Sequence, residues 1–143
     1  MVLKSILADQ AVWFGANSSA EGDGEKGLWL DGIEDTKDLF GMDFSMSKGD
    51  TLAYDNGTPD HAMVFTGVDV QDGFPVKWKV ENSWGEKSGD KGWFAIDAKW
   101  FDKHVFQVII DRRFVPPELL ALTEQQPIVL PPWDPFTDWT NGR

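Results

Sequence analysis

From Val76 to Asn82 the chain alternates strictly, with Val76, Trp78 and Val80 against Lys77, Lys79 and Glu81. A period of two predicts a strand with one apolar and one charged face, and it carries Asn82 onto the apolar side. Just ahead, Ala62 to Val70 is apolar on both faces, which predicts a strand covered from both sides. Asp72-Gly73 between them is a turn signal, so the two runs form a hairpin. Ala11-Val12-Trp13-Phe14 is a short apolar strand ended by Gly15, and Gly92 to Ile96 and Val105 to Ile110 supply two more.

The helical signals are short. Leu3, Ile6 and Leu7 stand at helical spacing, but the pattern starts at Met1 with no capping residue and reads as the last turns of a longer helix. Asp35 to Phe40 predicts a helix closed by Gly41, Asp97 caps another through Lys103, and Pro116-Pro117 opens a third. Residues 16 to 27, rich in Asn, Ser, Gly, Asp and Glu, read as an exposed loop. Prolines at 127, 131, 132 and 135 exclude regular structure beyond that point. The expected architecture is α+β. An antiparallel sheet with small peripheral helices fills residues 1–126, and an extended Pro/Trp-rich arm follows over 127–143.

Composition narrows the function. A chain of 143 residues can bury a real core as one domain. A net charge of -11 with no run of Lys or Arg disfavours nucleic acid and anionic membrane surfaces as partners. No apolar run reaches spanning length and no signal-type segment opens the chain, so a soluble, cytoplasmic protein is expected. Eight Trp and ten Phe against one Tyr suit core and domain interface, and a Trp-rich acidic binding module is the alternative they leave open. The chain has no cysteine, which excludes disulfides, thiolate metal sites and a cysteine nucleophile within it. The acidic stretches Glu21 to Glu25 and Asp55 to Asp60 lack the alternating ligand loop ending in a bidentate Glu that calcium requires. No metal or cofactor is expected.

His61 and His104 are the only histidines. His61 opens the first strand of the hairpin and Asn82 ends the second, so antiparallel pairing puts them together at one end of the sheet. An asparagine oxygen accepting from an imidazole N–H fixes the ring without adding charge. On spacing alone, a strand-end histidine near an unrelated turn asparagine is the simpler account. His104, at the end of a short amphipathic stretch, reads as a helix-terminal residue.

A resemblance changes the weighing. His61-Ala62-Met63-Val64-Phe65-Thr66-Gly67-Val68 and Val80-Glu81-Asn82-Ser83-Trp84-Gly85 resemble the histidine and asparagine motifs of papain-like cysteine peptidases. Val12-Trp13-Phe14-Gly15, Met46-Ser47-Lys48-Gly49-Asp50, Gly89-Asp90-Lys91-Gly92 and Leu130-Pro131-Pro132-Trp133-Asp134-Pro135 are similar, in the same order, to the bleomycin hydrolase and aminopeptidase C branch. The resemblance implies the half-barrel, β-rich domain of that fold. It implies a thiol protease of the aminopeptidase kind that cleaves N-terminal residues from peptides. It makes His61 the base, Asn82 its orienting partner and Trp84 their cover.

The branch places its cysteine, and the glutamine of its oxyanion hole, in a separate helical domain. None of the glutamines here has the required context, so that Cys-bearing domain is expected as a missing partner, and the chain alone as inactive. The resemblance also implies a homo-oligomer, since full-length relatives form hexamers. Without its counterpart the chain should expose an apolar, aromatic-rich face. Two departures stand out. Asp60 replaces the Thr or Ser usual before the histidine, and the chain ends on Phe136-Thr137-Asp138-Trp139-Thr140-Asn141-Gly142-Arg143 rather than on small residues.

Overall fold

The computed structural model describes residues 1–54 and 56–134. Its strands are Val12–Ala16 (β1), Gly22–Asp23 (β2), Leu28–Trp29 (β3), His61–Gln71 (β4), Phe74–Glu81 (β5), Trp93–Asp97 (β6) and Val105–Ile109 (β7). They form one sheet in the order β2-β3-β6-β5-β4-β1-β7. Every pair is antiparallel except β3 with β6, where Leu28 and Trp29 run parallel beside Ala95 and Ile96.

The long hairpin is where the alternation puts it. Asp72 and Gly73 take left-handed angles of 51° and 83°, the geometry of a two-residue turn whose twist matches that of its strands. In β5, Trp78 and Val80 are buried while Lys77, Lys79 and Glu81 face solvent. β4 differs from expectation. Met63 and Phe65 are buried, but Ala62 is exposed and Val64 half-buried, so only one face is covered. The other face is the outer surface of the sheet, where Trp13 lies in register with both Val64 and Ile109. Trp13 is 56% and Ile109 74% exposed. β1 also continues through Gly15 to Ala16 instead of stopping at the glycine.

The helices are Val2–Ile6 (α1), Thr36–Phe40 (α2), Lys48–Ala53 (α3), Ala98–His104 (α4) and Pro117–Leu122 (α5). Asp35 accepts a bond from Asp38 N at 2.9 Å and Asp97 one from Trp100 N at 2.6 Å, each satisfying a first-turn amide. Helix α3 was not expected, although Ser47 caps it in the same way, through Asp50 N at 3.1 Å. The expected 16–27 loop contains β2. Both short strands escape periodicity because two residues define no period.

Inside the sheet, Phe14 stacks on Phe65, and Trp29 lies between Phe94 and Trp100. The tryptophans divide: Trp29, Trp78 and Trp100 are core residues, while Trp13, Trp84 and Trp133 are exposed. Over residues 127–131 the chain has neither helix nor strand, and Ile128 and Val129 stand in solvent. The divergent ending from Phe136 lies outside the described residues. Among the described residues no helix is long and apolar enough to cross a membrane.

Candidate active site

His61 is the first residue of β4, paired across to Ala16 of β1. Asn82 follows the last residue of β5, and its backbone N–H donates to Gly92 O at 3.2 Å. The turn at 72–73 folds these strand ends together, and His61 Nε2 lies 2.7 Å from Asn82 Oδ1. The same oxygen accepts the backbone N–H of Ser83 at 2.7 Å. A backbone N–H can only donate, so the side-chain atom facing it is oxygen, and the imidazole nitrogen facing that oxygen carries a hydrogen. Nδ1 of the neutral ring is then left with its lone pair. A ring held this way can accept a proton at one defined atom.

Trp84 stacks on the His61 ring with centroids 4.9 Å apart and planes 24° from parallel. It shields one face of the hydrogen-bonded pair, though Trp84 itself remains 48% exposed. The three residues that the motifs single out, His61, Asn82 and Trp84, therefore lie together. The Nδ2 of Asn82 is buried without a partner, a cost accepted in an orientation that serves Oδ1.

Asp60 is the informative departure. Its carboxylate takes four donors: Ser18 N at 2.7 Å, Ser18 Oγ at 2.9 Å, Ser19 N at 3.2 Å and Ser19 Oγ at 2.6 Å. Burial alone would raise this carboxyl, but the donors from Ser19 and Ser18 outweigh it and hold it below the ordinary carboxylate value. The group is thus an ionised anchor for the turn at residues 18–19. No short motif reveals this, because the pairing joins residues 41 and 42 positions apart.

The acidic loop is committed internally. Asp23 accepts from Glu25 N and Lys26 N and pairs with Lys26, while Glu21 accepts from Gly32 N. Among the described residues no group of three or more His, Asp or Glu side chains is placed to hold a metal ion.

His104 is the last residue of α4, its ring against Trp100 at 4.9 Å and its Nε2 buried without a partner. Burial lowers this imidazole below its ordinary 6.5; Lys103 and Lys48 push the same way, while Glu21 and Asp31 oppose. The sign of the stability effect follows. Above 6.5 the ring is neutral folded or unfolded. As pH falls below 6.5 the unfolded chain takes up the proton first, so stability drops until the folded ring also protonates. Urea midpoints should therefore fall from pH 7.5 to pH 5, and His104→Gln should flatten that slope. An unchanged slope in the variant would remove His104 as the cause.

The Peptidase C1-like family model matches residues 1–137. Aminopeptidase C of Lactobacillus helveticus is 43% identical over 139 residues, covering 95% of this chain and 31% of its own length. Bleomycin hydrolase of Rattus norvegicus is 44% identical over 140 residues, with the same coverage of 95% and 31%. The crystal structure of PepW from Lactobacillus rhamnosis HN001 superposes with a TM-score of 0.86 at 44% identity, covering 94% of this chain and 31% of that one. This chain spans about a third of the length of the relatives it matches. A hairpin that aims an oriented histidine and asparagine from one sheet end, within a sequence match running almost from end to end, leaves one assignment: the chain belongs to the Peptidase C1-like family.

Proposed function

We propose that this chain supplies the base and its orienting partner to a cysteine aminopeptidase of the bleomycin hydrolase kind. The observation that carries the reading is the 2.7 Å contact of His61 Nε2 with Asn82 Oδ1, which leaves Nδ1 free to take a proton. Relatives named aminopeptidase C and bleomycin hydrolase support the reaction class. The chain contains no cysteine, so the thiol comes from a complementary region outside these 143 residues. Facing that thiol, Nδ1 would take its proton to give a thiolate–imidazolium pair. The thiolate attacks the peptide carbonyl, and the imidazolium then protonates the departing amine. The ring next takes a proton from the water that cleaves the thioester. Asn82 keeps Nε2–H bonded and the ring oriented throughout, and Trp84 keeps water off the bond. The apolar outer face around Trp13 and Ile109 is the surface we assign to the complementary region. Residues 127–134 belong to the arm of the same unit.

The reading requires that the chain be inactive alone. Sites that lose one catalytic member can retain about 10³–10⁴-fold acceleration, because oxyanion donors and substrate contacts survive. Here the nucleophile and the oxyanion glutamine are missing together, so that reserve has no source. The pure chain should hydrolyse aminoacyl fluorogenic substrates no faster than buffer, and thiol alkylation should change nothing. Turnover by the chain alone, insensitive to alkylation, would overturn the assignment.

A further inference from the structure

Trp84 covers His61 but is not itself fixed by burial. It stands on two ring contacts: the edge of Trp29 at 6.1 Å and 61°, and Phe94 at 5.7 Å and 84°. Trp29 is only 2% exposed and stacks on the likewise buried Phe94 at 4.6 Å, so the two form the rigid base beneath Trp84. Its indole does a second thing. Nε1–H donates to Ser18 O at 3.1 Å, on the turn whose Ser18 and Ser19 donors clasp Asp60, the residue before His61. Asp60 N in turn donates to Ala16 O at 3.1 Å. Trp29 therefore reaches His61 by two routes, through the ring that covers it and through the backbone that enters it.

We infer that Trp29 is a positioning residue for His61, holding the imidazole against Asn82 from both sides. The local sequence is cut to fit it. Gly22 pairs with Trp29 across the β2–β3 ladder, and a Cβ at Gly22 would run into the indole, so a larger residue there would displace Trp29. The far end of the 17–20 turn is held separately, by Trp100 Nε1–H on Ala20 O at 3.0 Å. Loss of Trp29 thus frees the Ser18 end without dissolving the turn. The physical demand is angular. A stacked ring resists tilting but allows rotation in its own plane, whereas the backbone anchor limits displacement along the strand. Both are needed to keep Nε2 on a single acceptor.

This inference rests on the reading of His61 as the base, and its test is made at the ring itself, in the 143-residue chain. An imidazole N–H held in a hydrogen bond exchanges slowly enough with water to be seen by ¹H–¹⁵N NMR, and a free one does not. The wild-type chain should show a His61 Nε2–H signal, with ring protons displaced by stacking on Trp84. Trp29→Leu removes the bond to Ser18 and leaves Trp84 on Phe94 alone, and should abolish the signal and shift the ring protons toward unstacked positions. Trp29→Phe keeps a ring under Trp84 but drops the bond to Ser18, and should retain the signal with several-fold faster water exchange. Val2→Ala removes a buried side chain from the same core, on α1, and should match the wild type, which separates positioning from general loosening. A Trp29→Leu spectrum identical to wild type at His61 would defeat the proposal. Should that variant not fold, unaltered exchange in Trp29→Phe would defeat it equally. An absent Nε2–H signal in the wild type would strike at the base assignment instead, so the two failures are distinguishable.

Discussion

His61→Ala should cost about 10⁴-fold or more in turnover once the chain is joined to a cysteine-bearing region of its family. The size of the effect follows from the role proposed for the ring. A thiol at its free pKa is only slightly ionised near neutrality, and the same imidazole that activates it must later protonate the leaving amine. Alanine removes both of these proposed proton transfers, and the chain's other histidine is not placed to take over. His104 lies at the C-terminal end of α4 against Trp100, with its Nε2 enclosed. Asn82→Ala should cost less, on the order of 10²-fold, because the base survives but its ring loses the acceptor that sets its tautomer and angle. The two should not multiply, since the role proposed for Asn82 is exerted only through His61. Steady-state kcat/KM on an aminoacyl substrate, for the two single variants and the double, makes the comparison. A His61→Ala enzyme within tenfold of wild type would remove His61 from the chemistry. An Asn82 effect that persists undiminished in the double variant would give Asn82 a separate role.

The pair at this site was legible in the sequence because both residues belong to the chain's most regular feature. Alternation through β5 and the Asp72-Gly73 turn fix which strand ends meet, and Asn82 then has one place to go. What spacing could not supply was the contact itself; the motif around Trp84 raised it from a neighbourhood to a hydrogen bond. The side of the site formed by Trp29 and the Ser18–Asp60 clasp was invisible for a physical reason. β3 is two residues long and draws its order from lying beside β6 and under Trp84, not from local pattern. The expectation that β4 is covered on both faces fails for a related reason. Apolar residues such as Val64 mark a surface to be covered, but a sequence does not say whether the cover lies within the same 143 residues. Among the described residues, Val64 stays half-buried and Trp13 exposed. In the sequence Asp60 stands out only as a departure from the residue usual before the histidine. Two serines far back in the chain give it a use.

Phe65→Ala should lower stability by about 3–5 kcal/mol, the range for truncating a large buried ring. Phe65 has no exposed surface. It stacks on Phe14 with centroids 3.7 Å apart and meets Trp78 at 5.3 Å and Phe101 at 5.4 Å. Its cross-strand neighbours are Val12 on one side and Val80 on the other, so the space it vacates is walled by side chains from β1, β5 and α4. These are large, rigid rings on fixed strands, which relax poorly into a void, and the cost should sit toward the upper end. Against a total of roughly 5–15 kcal/mol for an ordinary domain, that is a substantial fraction. For a chain of this length it corresponds to a fall in Tm of roughly 10 °C or more. Phe74→Ala provides the contrast, since Phe74 is 73% exposed at the hairpin turn and should change stability by no more than about 0.5 kcal/mol. Urea unfolding followed by tryptophan fluorescence reads both, provided the slope with denaturant is unchanged. A Phe65→Ala loss below about 1 kcal/mol, with Phe74→Ala equal to it, would mean that the β4 face carrying Met63 and Phe65 is not the buried one. His61, four residues along the same strand, would then lose the register that brings it to Asn82.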